Sequence, residues 1–426
     1  MNPLQRICPK FRVLIIGGSY AGLSAALNLV DLHRGLQPRQ SREPCIQQDQ
    51  LPNCDIEISI VDERDGFYHL VGSPLALFDK EYAEKSWIKF EDIPEIRRRL
   101  IKNIQGAVTE VDYDKKKALV IDRVTKTQST QSYDILVAAS GLRRTWPIAP
   151  RARTKEEFLN DVMHHASSFQ DTPRGVVVIG GGAVGVEIAA KLKMFMPELA
   201  VTLVHSRDKL LSSEPIPDEV KEKTLELLLE AQVTVLMNHR LRQITDGETS
   251  DGRPEVRLEF SNGTQMVASK AIRAISQGVP STGYLPTSAL DSNGYVKVLP
   301  NLNLESGLPK YQDCFAAGDI VRWSGIKRCS GAMHMGQLVA QNVYQRIIQK
   351  LTGREPAMKD LEEFSPMIAI ALAKSAVAYA PHTGVSWGDN VLQTYFGDDM
   401  TLSYCKTTMQ LKASGPFKEL DQGVAS

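Results

Sequence analysis

Closely spaced cysteines are missing from this chain of 426 residues. Its six cysteines are scattered and contain no C-x-x-C pair: Cys8, Cys45, Cys54, Cys314, Cys329 and Cys405. A structural zinc site and a dithiol redox motif both depend on short spacings, so the sequence predicts neither, and we expect no metal site. We expect most of these cysteines to be reduced thiols in an intracellular protein.

An excess of charge of one sign is also missing. The chain has 50 Lys and Arg residues against 50 Asp and Glu residues, and like charges form no long block. Proteins that bind nucleic acids carry a basic surface, so this balance excludes nucleic acid as an expected partner. The apolar content of 42% is that of an ordinary globular protein, and the length predicts two or three domains.

Long apolar runs are absent as well, because none reaches the roughly 20 residues that a transmembrane helix needs. The N-terminus is basic but has no apolar signal-peptide segment before the first apolar run. Asn2 excludes N-myristoylation, which requires glycine at that position. We therefore expect a cytoplasmic protein with at most peripheral membrane contact; a mitochondrion-associated or peripheral membrane location is the alternative.

A glycine-rich turn near the N-terminus is the first feature that indicates a function. Residues 13–16 form a short apolar run, residues 17–22 read GGSYAG, and apolar residues then recur at helical spacing. A strand, a glycine turn and a helix are typical of a dinucleotide-binding unit, because the turn presents N–H groups to a pyrophosphate. Ser19 replaces the second glycine of the G-x-G-x-x-G pattern, so an ordinary β-turn-α unit is the alternative from this segment alone.

A second copy of the same pattern lies in the middle of the chain. Residues 175–192 read GVVVIGGGAVGVEIAAKL, in which Gly180, Gly182 and Gly185 have complete G-x-G-x-x-G spacing. Apolar residues precede this turn, and a helical pattern follows it. Two such units predict two bound dinucleotides, one at each turn.

The second strand of the first unit ends in acidic residues. Residues 56–61 predict this strand, and Asp62 and Glu63 follow it. A carboxylate at this point binds the adenosine ribose hydroxyls in dinucleotide-binding folds. We favour Asp62, because it directly follows the strand; a solvated strand-end acid is the alternative.

The corresponding strand of the second unit, residues 201–204, ends at His205, Ser206 and Arg207 instead. An acid there would repel the 2′-phosphate of NADPH. Arg207 could pair with that phosphate, although a strand-end arginine that points into solvent is the alternative. We therefore expect NADH and NADPH both to be accepted.

Three further segments complete the coarse prediction. Residues 33–55 lack apolar periodicity and predict an exposed insertion loop. Residues 133–141 predict a buried strand that ends in Ala139-Ser140-Gly141, whose small side chains let a cofactor pass close to the backbone. Residues 333–347 predict a helix.

With both glycine turns, Ala139-Ser140-Gly141 and Ala317-Gly318-Asp319, the sequence resembles the two-dinucleotide flavoprotein reductases of the glutathione-reductase class. Within that class it resembles the apoptosis-inducing-factor-like branch, which includes ferroptosis suppressor proteins and type II NADH:quinone reductases. The resemblance implies an α/β fold with two Rossmann-like domains and a small α+β C-terminal domain. The implied division is FAD-binding segments 1–143 and 281–352, an NAD(P)H-binding domain 144–280, and a C-terminal domain 353–426.

The resemblance also implies which residues contact the cofactors FAD and NADH or NADPH. This expected set is Gly17, Gly18, Ser19, Ala21, Gly22, Asp62, Glu63, Arg64, Val108, Ala139, Gly141, Gly180, Gly182, Ala183, Val184, Gly185, His205, Arg207, Gly278, Gly318 and Asp319.

Three residues are candidates for the catalytic chemistry. Glu187 matches an acidic position that lies near the nicotinamide in the family; an acid favoured by the helix dipole is the alternative. His334 and Gln337 lie where the family's helix reaches the flavin, and a histidine there could pass a proton to a quinone. A packing histidine is the alternative to that role. Tyr68, His69 and Lys406 are weaker candidates, for which a structural or surface role is the alternative.

The expected activity is electron transfer from NAD(P)H through FAD to a small, quinone-like acceptor. No cysteine lies between Leu70 and Leu100, where the disulfide reductases of the class carry their redox pair, so disulfide reduction is disfavoured. The alternatives are a tailoring oxidoreductase of a biosynthetic pathway and a redox-sensing or cell-death signalling flavoprotein. A homodimer is a further expectation.

Overall fold

The computed structural model of the chain describes residues 8–39, 54–275, 278–323, 325–363 and 365–411. Cys45 and most of the expected insertion loop lie outside these residues, as does the C-terminal tail. The described chain is a mixed α/β protein with parallel sheets, as the sequence predicts. No helix within the described ranges has the length and apolarity to cross a membrane.

The elements of the first part of the chain alternate between strands and helices. In chain order they are β1 (Lys10–Ile16), α1 (Tyr20–His33), β2 (Asp55–Asp62), β3 (Gly66–Tyr68), α2 (Ser73–Ala76), α3 (Lys80–Ser86), β4 (Trp87–Lys89), α4 (Pro94–Arg97), β5 (Ile101–Gln105), β6 (Ala107–Asp112), β7 (Lys117–Ile121), β8 (Gln128–Ser132), β9 (Ile135–Ala138) and β10 (Leu142–Arg143).

The middle part repeats this alternation. Its elements are α5 (Lys155–Ser167), β11 (Val176–Ile179), α6 (Ala183–Phe195), β12 (Val201–Val204), α7 (Asp218–Glu230), β13 (Thr234–Leu236), β14 (Leu241–Glu248), β15 (Pro254–Phe260), β16 (Gln265–Ala268), β17 (Lys270–Arg273) and β18 (Val279–Pro280). The last part contains β19 (Cys314–Ala316), α8 (Cys329–Thr352), β20 (Ile368–Leu372), β21 (Ser375–Ala380), β22 (Gly384–Gly388), α9 (Asp389–Phe396) and α10 (Leu402–Thr408).

Two parallel sheets carry the two glycine turns. The first sheet has the order β19-β9-β1-β2-β5, and the second has the order β13-β12-β11-β17. In each sheet the strand before the glycine turn lies in the interior, with strands from later in the chain on both sides. Such an arrangement buries both faces of the strand, which explains the continuous apolar runs. It also places the carboxyl end of the strand at a switch in strand order, where α/β folds bind ligands.

Antiparallel strands form the rest of the sheet structure. The three-stranded sheet β6-β7-β8 contacts the first parallel sheet, and the sheet β14-β15-β16 contacts the second. A third antiparallel sheet, β20-β21-β22, forms from the apolar run that begins near residue 367. Its strand β20 packs against α6, so this C-terminal sheet lies next to the second glycine turn.

Helix α8 packs closely along α1 and positions the end of the first sheet. The approach is tightest at Gly336, where an added Cβ would collide with the carbonyl oxygen of Ala21. The Ser24 hydroxyl donates to the Met333 carbonyl at 2.8 Å, which fixes the register of the two helices. Because of this packing, the N-terminus of α8 lies beside the N-terminus of α1.

The start of the expected insertion loop is exposed over residues 34–37, as predicted, but the side chain of Arg39 is buried. Helix α1 continues to His33, and the Arg39 guanidinium is only 3% exposed. It pairs with Asp31 at 2.7 Å and with Glu95 at 2.5 Å, and it also donates to the Met409 carbonyl. A buried cation is stable only when paired, and these three acceptors supply the pairing. Arg39 therefore connects the loop to the C-terminal helix α10.

The close contact of α8 with α1 predicts that Gly336 tolerates no side chain. We expect Gly336→Ala to lower the free energy of unfolding by roughly 1–3 kcal/mol, because the added methyl group meets backbone rather than a movable side chain. Denaturant unfolding of the purified protein measures this change. Gly331→Ala is the control in the same helix, since its Cβ would touch only the Trp323 ring, at 3.5 Å. Equal stability of the two variants would contradict the prediction.

Candidate active site

The carboxyl ends of both parallel sheets open into one cavity of about 1150 Å³. This volume exceeds the usual 300–1000 Å³ of a single ligand pocket. The expected site residues that line it are Gly17, Ser19, Ala21, Asp62, Arg64, Ala139, Gly141, Gly180, Gly182, Ala183, Val184, Glu187, His205, Gly278, Gly318 and Asp319. The structure therefore brings most of the expected set together around one space.

The glycines of the first turn are required by its backbone geometry, and of the three only Gly17 also lines the cavity. Gly17 has a φ of +103°, and a Cβ there would collide with the carbonyl oxygen of Ala139. A Cβ on Gly22 would collide with the carbonyl oxygen of Gly17, so the helix can begin this close to the turn only with glycine. Gly18 and Gly22 do not line the cavity, because they lie behind this turn.

The second turn has the same construction. Gly180 has a φ of +119°, and its Cβ would lie 2.8 Å from the carbonyl oxygen of Ala274. A Cβ on Gly185 would collide with the carbonyl oxygen of Gly180. Gly182 is different, because nothing in the described chain lies within 4 Å of its added Cβ, although it lines the cavity. Ser19 occupies the corresponding position of the first turn and also lines the cavity.

The N-termini of α1 and α6 are open toward the cavity. Ser19 and Gly182 are their N-cap residues, and within the described chain neither helix has a side-chain cap or an acid in its first turn. The first N–H groups of a helix need acceptors, and the helix dipole favours an anion there. Two such helix ends facing one cavity are suited to two pyrophosphate groups.

The strand-end residue holds the glycine turn in place in both units. The Asp62 carboxylate accepts the Gly18 N–H at 2.7 Å and the Arg64 N–H at 2.8 Å. In the second unit the Gly181 N–H donates to Nδ1 of His205 at 3.1 Å. Nδ1 must therefore be unprotonated, and Nε2 carries the proton toward the hydroxyl of Ser212, 3.0 Å away.

The two strand-end groups differ in charge. Burial raises the pKa of Asp62, although the nearby Arg64 and the N–H bonds oppose this effect. Burial lowers the pKa of His205 and so favours the neutral ring that the Gly181 hydrogen bond requires. A neutral acceptor thus replaces an acid at the second turn.

Unpaired cationic atoms supply further evidence that the cavity fits an anionic ligand. Arg64 Nε and Arg328 Nε are both buried without a hydrogen-bond partner among the described residues, and both side chains line the cavity. A buried charged donor is costly when unsatisfied, so an acceptor from a ligand would stabilise it. Arg144 also lines the cavity and lies 3.3 Å from the Asp319 carboxylate.

Glu187 is a buried acid with an unusual affinity for protons. It lines the cavity, and its carboxyl oxygen accepts the Ala371 N–H of β20 at 3.1 Å. Burial raises the pKa of Glu187 to about 7, while the Ala371 N–H and Lys191 act in the opposite direction. A group with this pKa can hold and release a proton near neutral pH.

His334 and Gln337 do not line the cavity. Burial lowers the pKa of His334, and a side-chain hydrogen bond to Gln337 opposes that shift. Gln337 itself is 4% exposed. The part of α8 that faces the cavity is its first turn, which begins at Cys329.

Three further expected residues, Glu63, Arg207 and Val108, also lie outside the cavity wall and contact other parts of the protein. Glu63 pairs with Arg143 at 2.9 Å, and Arg207 donates to the Ser212 carbonyl at 3.1 Å. Val108 lies in β6 and packs against the core of the first sheet. Their roles at the cofactors stay predictions.

Sequence reasoning missed a hydrogen-bonded chain at one side of the cavity. Tyr20, which lines the cavity, bonds through its hydroxyl to Nδ1 of His69 at 3.0 Å, and Nε2 of His69 bonds to the Met400 carbonyl at 2.7 Å. The carbonyl can only accept, so Nε2 carries the proton. Burial lowers the pKa of His69 to about 4, which keeps the ring neutral. The pairing of His69 with Met400 had no sequence signal, because the two residues are 331 positions apart.

Comparisons with known proteins agree with this architecture. The sequence model of the family described as pyridine nucleotide-disulphide oxidoreductase matches residues 11–336. Oxidoreductase OXR1 of Ajellomyces capsulatus is 44% identical over 408 residues, which are 94% of this chain and 87% of that protein. Ferroptosis suppressor protein 1 of Mus musculus is 25% identical over 309 residues, which are 72% and 73% of the two chains.

Solved structures show the same fold. NDH2 of Plasmodium falciparum in complex with NADH has a TM-score of 0.67 at 13% identity and covers 94% of this chain and 97% of that chain. A water-forming NADH oxidase of Lactobacillus brevis bound to NADH has a TM-score of 0.63 at 17% identity and covers 86% and 74%.

The raised pKa of Glu187 predicts a dependence of stability on pH. Between the ordinary pKa of 4.5 and about 7, the unfolded chain releases this proton but the folded chain keeps it. Ionisation of Glu187 therefore makes the free energy of unfolding fall as the pH rises through this range. We expect Glu187→Gln to be more stable than wild type at pH 8, by up to about 3 kcal/mol, and equally stable at pH 4.5.

Urea unfolding at the two pH values measures this effect. Glu198→Gln is the control, because Glu198 is exposed just beyond the same helix. A stability difference between Glu187→Gln and wild type that does not change with pH would refute the assignment.

Proposed function

The chain belongs to the pyridine nucleotide-disulphide oxidoreductase family, and from this premise we propose that it is an FAD-dependent NAD(P)H oxidoreductase with a quinone-like acceptor. The observation that carries the proposal is the single cavity onto which both glycine turns open. Bound FAD accepts a hydride from NAD(P)H and stores the electrons for the acceptor. The protein has to hold both nucleotides and position their reactive rings.

The first turn is the proposed FAD site. Its pyrophosphate would lie at the N-terminus of α1, where Ser19 can add a hydroxyl donor. Asp62 uses one lone pair of each oxygen for the Gly18 and Arg64 N–H groups, so each oxygen can still accept a ribose hydroxyl. Asp319, held by Arg144, lines the same part of the cavity.

The second turn is the proposed NAD(P)H site. Its pyrophosphate would lie at the N-terminus of α6 in the free space beside Gly182. Glu187, one turn further along α6, would lie near the nicotinamide and hold a proton there. The neutral His205 gives the strand end of this site no negative charge, in contrast to Asp62 in the first site, and Glu214, from the segment after that strand, is an acid in the cavity wall.

Apolar residues support a flat, uncharged acceptor. The cavity wall includes Leu70, Val71 and Pro74 from the segment after β3, and Met367, Ile368 and Phe396 from the C-terminal segment. Such a surface suits an aromatic ring, and α2 and α3 of the described chain carry no cysteine pair like that of the disulfide reductases. A quinone-like molecule therefore fits better than a disulfide.

The acceptor distinguishes the proposal from its alternatives. We expect steady-state turnover with ubiquinone and menadione analogues to exceed turnover with ferricyanide and with small disulfides. Slow turnover with every acceptor, together with a long-lived reduced flavin, would favour a signalling role. Activity restricted to a biosynthetic intermediate would favour a tailoring oxidoreductase.

The proposal also implies a division of the chain into domains. Segments 1–143 and 281–352 would form the FAD domain, 144–280 the NAD(P)H domain and the rest the C-terminal domain, each with its own sheet. A cytoplasmic location, peripheral membrane contact and a homodimer stay predictions. No group of three or more His, Cys, Asp or Glu residues within the described ranges is arranged to hold a metal ion.

A matched pair of variants separates the two nucleotide sites. We expect Gly182→Val to abolish reduction by NAD(P)H while the purified protein keeps its yellow FAD, because the valine fills only the space at α6. Ser19→Val should give the reverse: FAD content should fall, because the valine lies at α1. Absorbance at the flavin maximum and anaerobic reduction measure the two effects.

Gly17→Val is a poor substitute in this test. Its Cβ would collide with the Ala139 carbonyl, so loss of FAD would report a damaged turn rather than a blocked site. Loss of FAD from a well-folded Gly182→Val protein would contradict the assignment of separate sites.

His205 predicts the coenzyme preference. We expect NADPH to be used at least as well as NADH, and we expect His205→Asp to lower kcat/KM for NADPH at least tenfold relative to NADH. An acid about 4 Å from the 2′-phosphate costs about 1 kcal/mol per charge pair in water and about 4 at a dielectric constant of 20. Asparagine at position 205 is the uncharged control.

Arg207→Ala measures the contribution of the arginine separately. The Arg207 side chain is exposed and donates to the Ser212 carbonyl, and it is free to turn toward a phosphate. An unchanged kcat/KM for NADPH in this variant would exclude only the proposed pairing of Arg207 with the 2′-phosphate. A wild-type preference for NADH above about a hundredfold, roughly 2.7 kcal/mol, would overturn the dual use.

A further inference from the structure

Two cysteines that are far apart in the sequence meet beside the cavity. Cys329 begins α8 and lines the cavity, and Cys405 lies in α10 with no exposed surface. Their side chains are hydrogen-bonded to each other. Neither residue has a role in the proposed hydride transfer.

The surroundings of the two thiols differ. The Cys329 thiol lies at the N-terminus of a 24-residue helix, next to Arg328. The hydrogen bond from Cys405 is the largest cause that lowers the pKa of Cys329, and it raises the pKa of Cys405. Because Cys329 borders the cavity at a helix N-terminus beside Arg328, whereas Cys405 is fully buried, we take Cys329 as the thiol that reacts first.

Another buried cysteine shows the contrast. Cys314 lies in β19, and burial raises its pKa to about 12. A thiol of that kind is inert toward oxidants, because the thiolate is the reactive form. A reactive cysteine that borders a cavity and touches a second cysteine has the features of a redox-sensitive pair.

We propose that Cys329 and Cys405 are a reversible oxidation site for peroxides, independent of the proposed hydride transfer. The Cys329 thiolate attacks one peroxide oxygen, the O–O bond breaks, and Cys329 becomes a sulfenic acid while hydroxide leaves. The Cys405 sulfur then attacks the Cys329 sulfur, forms the S–S bond and releases the second oxygen as water. The two thiols lose two electrons in total, the peroxide becomes two water molecules, and a small dithiol reverses the change.

The resulting disulfide would link two helices beside the cavity. It would connect the first turn of α8 to α10, whose preceding residue Thr401 also lines the cavity. The sulfur atoms must approach to about 2.05 Å. Helix α10 has only seven residues, whereas α8 is packed closely along α1, so α10 is the element expected to move.

Peptide mapping tests the proposal on the purified holoprotein without any measurement of turnover. The reduced protein receives one equivalent of hydrogen peroxide, free thiols are blocked, and the protein is digested without reduction. We expect a single cross-linked peptide pair that contains Cys329 and Cys405, the loss of two of the six thiols, and full reversal by dithiothreitol. We also expect iodoacetamide to alkylate Cys329 at least tenfold faster than Cys314 at pH 7.

Variants identify the order of the steps. In Cys405→Ser, Cys329 should be trapped as a sulfenic acid by dimedone, and in Cys329→Ser, Cys405 should stay reduced. Cys8→Ser, which removes an exposed thiol, should leave the cross-link unchanged. The proposal is overturned if peroxide at tenfold excess leaves Cys329 as a thiol in wild type, or if Cys329 bridges to a different cysteine. Equal oxidation of Cys405 in Cys329→Ser would also overturn it.

Discussion

The close approach of a helix to the turn before it is the constraint on which the site depends. In both units a glycine of the helix touches the carbonyl oxygen of the first turn glycine, so neither position has room for a side chain. This contact brings the N–H groups at the end of the helix to the edge of the sheet. With any larger residue the helix would begin farther away, and its dipole would no longer point into the cavity.

The rest of the chain keeps these two helix ends facing one space. The contact of α8 with α1 brings a third helix N-terminus to the cavity, and the hydrogen bond between Glu187 and β20 brings the C-terminal sheet to α6. The cavity wall therefore combines residues from every part of the described chain. A change in any one of these contacts would alter the site even when both glycine turns stay intact.

The sequence predicted the parts of the site that a local pattern defines. Spacing and periodicity predicted both glycine turns, the strands before them and the position of Asp62. The family resemblance inferred from these motifs is confirmed. His205 was recognised as a missing acid, but its bond to the Gly181 N–H depends on a three-dimensional contact. Periodicity predicted a helix over residues 333–347, but α8 already begins at Cys329, so the first turn, which faces the cavity, lay outside the predicted range. The sequence therefore suggested His334 and Gln337 as the residues of α8 at the site. In the structure, Arg328 and Cys329 line the cavity instead.

Segments far apart in the chain were the least predictable. Arg39 was expected in an exposed loop, yet it is buried by partners in α1, α4 and the end of α10. No short-range pattern marks such a residue, because each of its three acceptors lies in a different segment. The partnership of Cys329 with Cys405 was hidden for the same reason.

The bond between Glu187 and the Ala371 N–H has a thermodynamic consequence. A carboxylate accepts this hydrogen bond more strongly than a carboxylic acid does, so loss of the proton tightens the docking of β20 on α6. Linkage requires the reverse as well, since binding free energies are reciprocal. At equal burial of Glu187, a ligand that shortens the Ala371 hydrogen bond will favour release of the Glu187 proton, and a ligand that lengthens it will favour uptake.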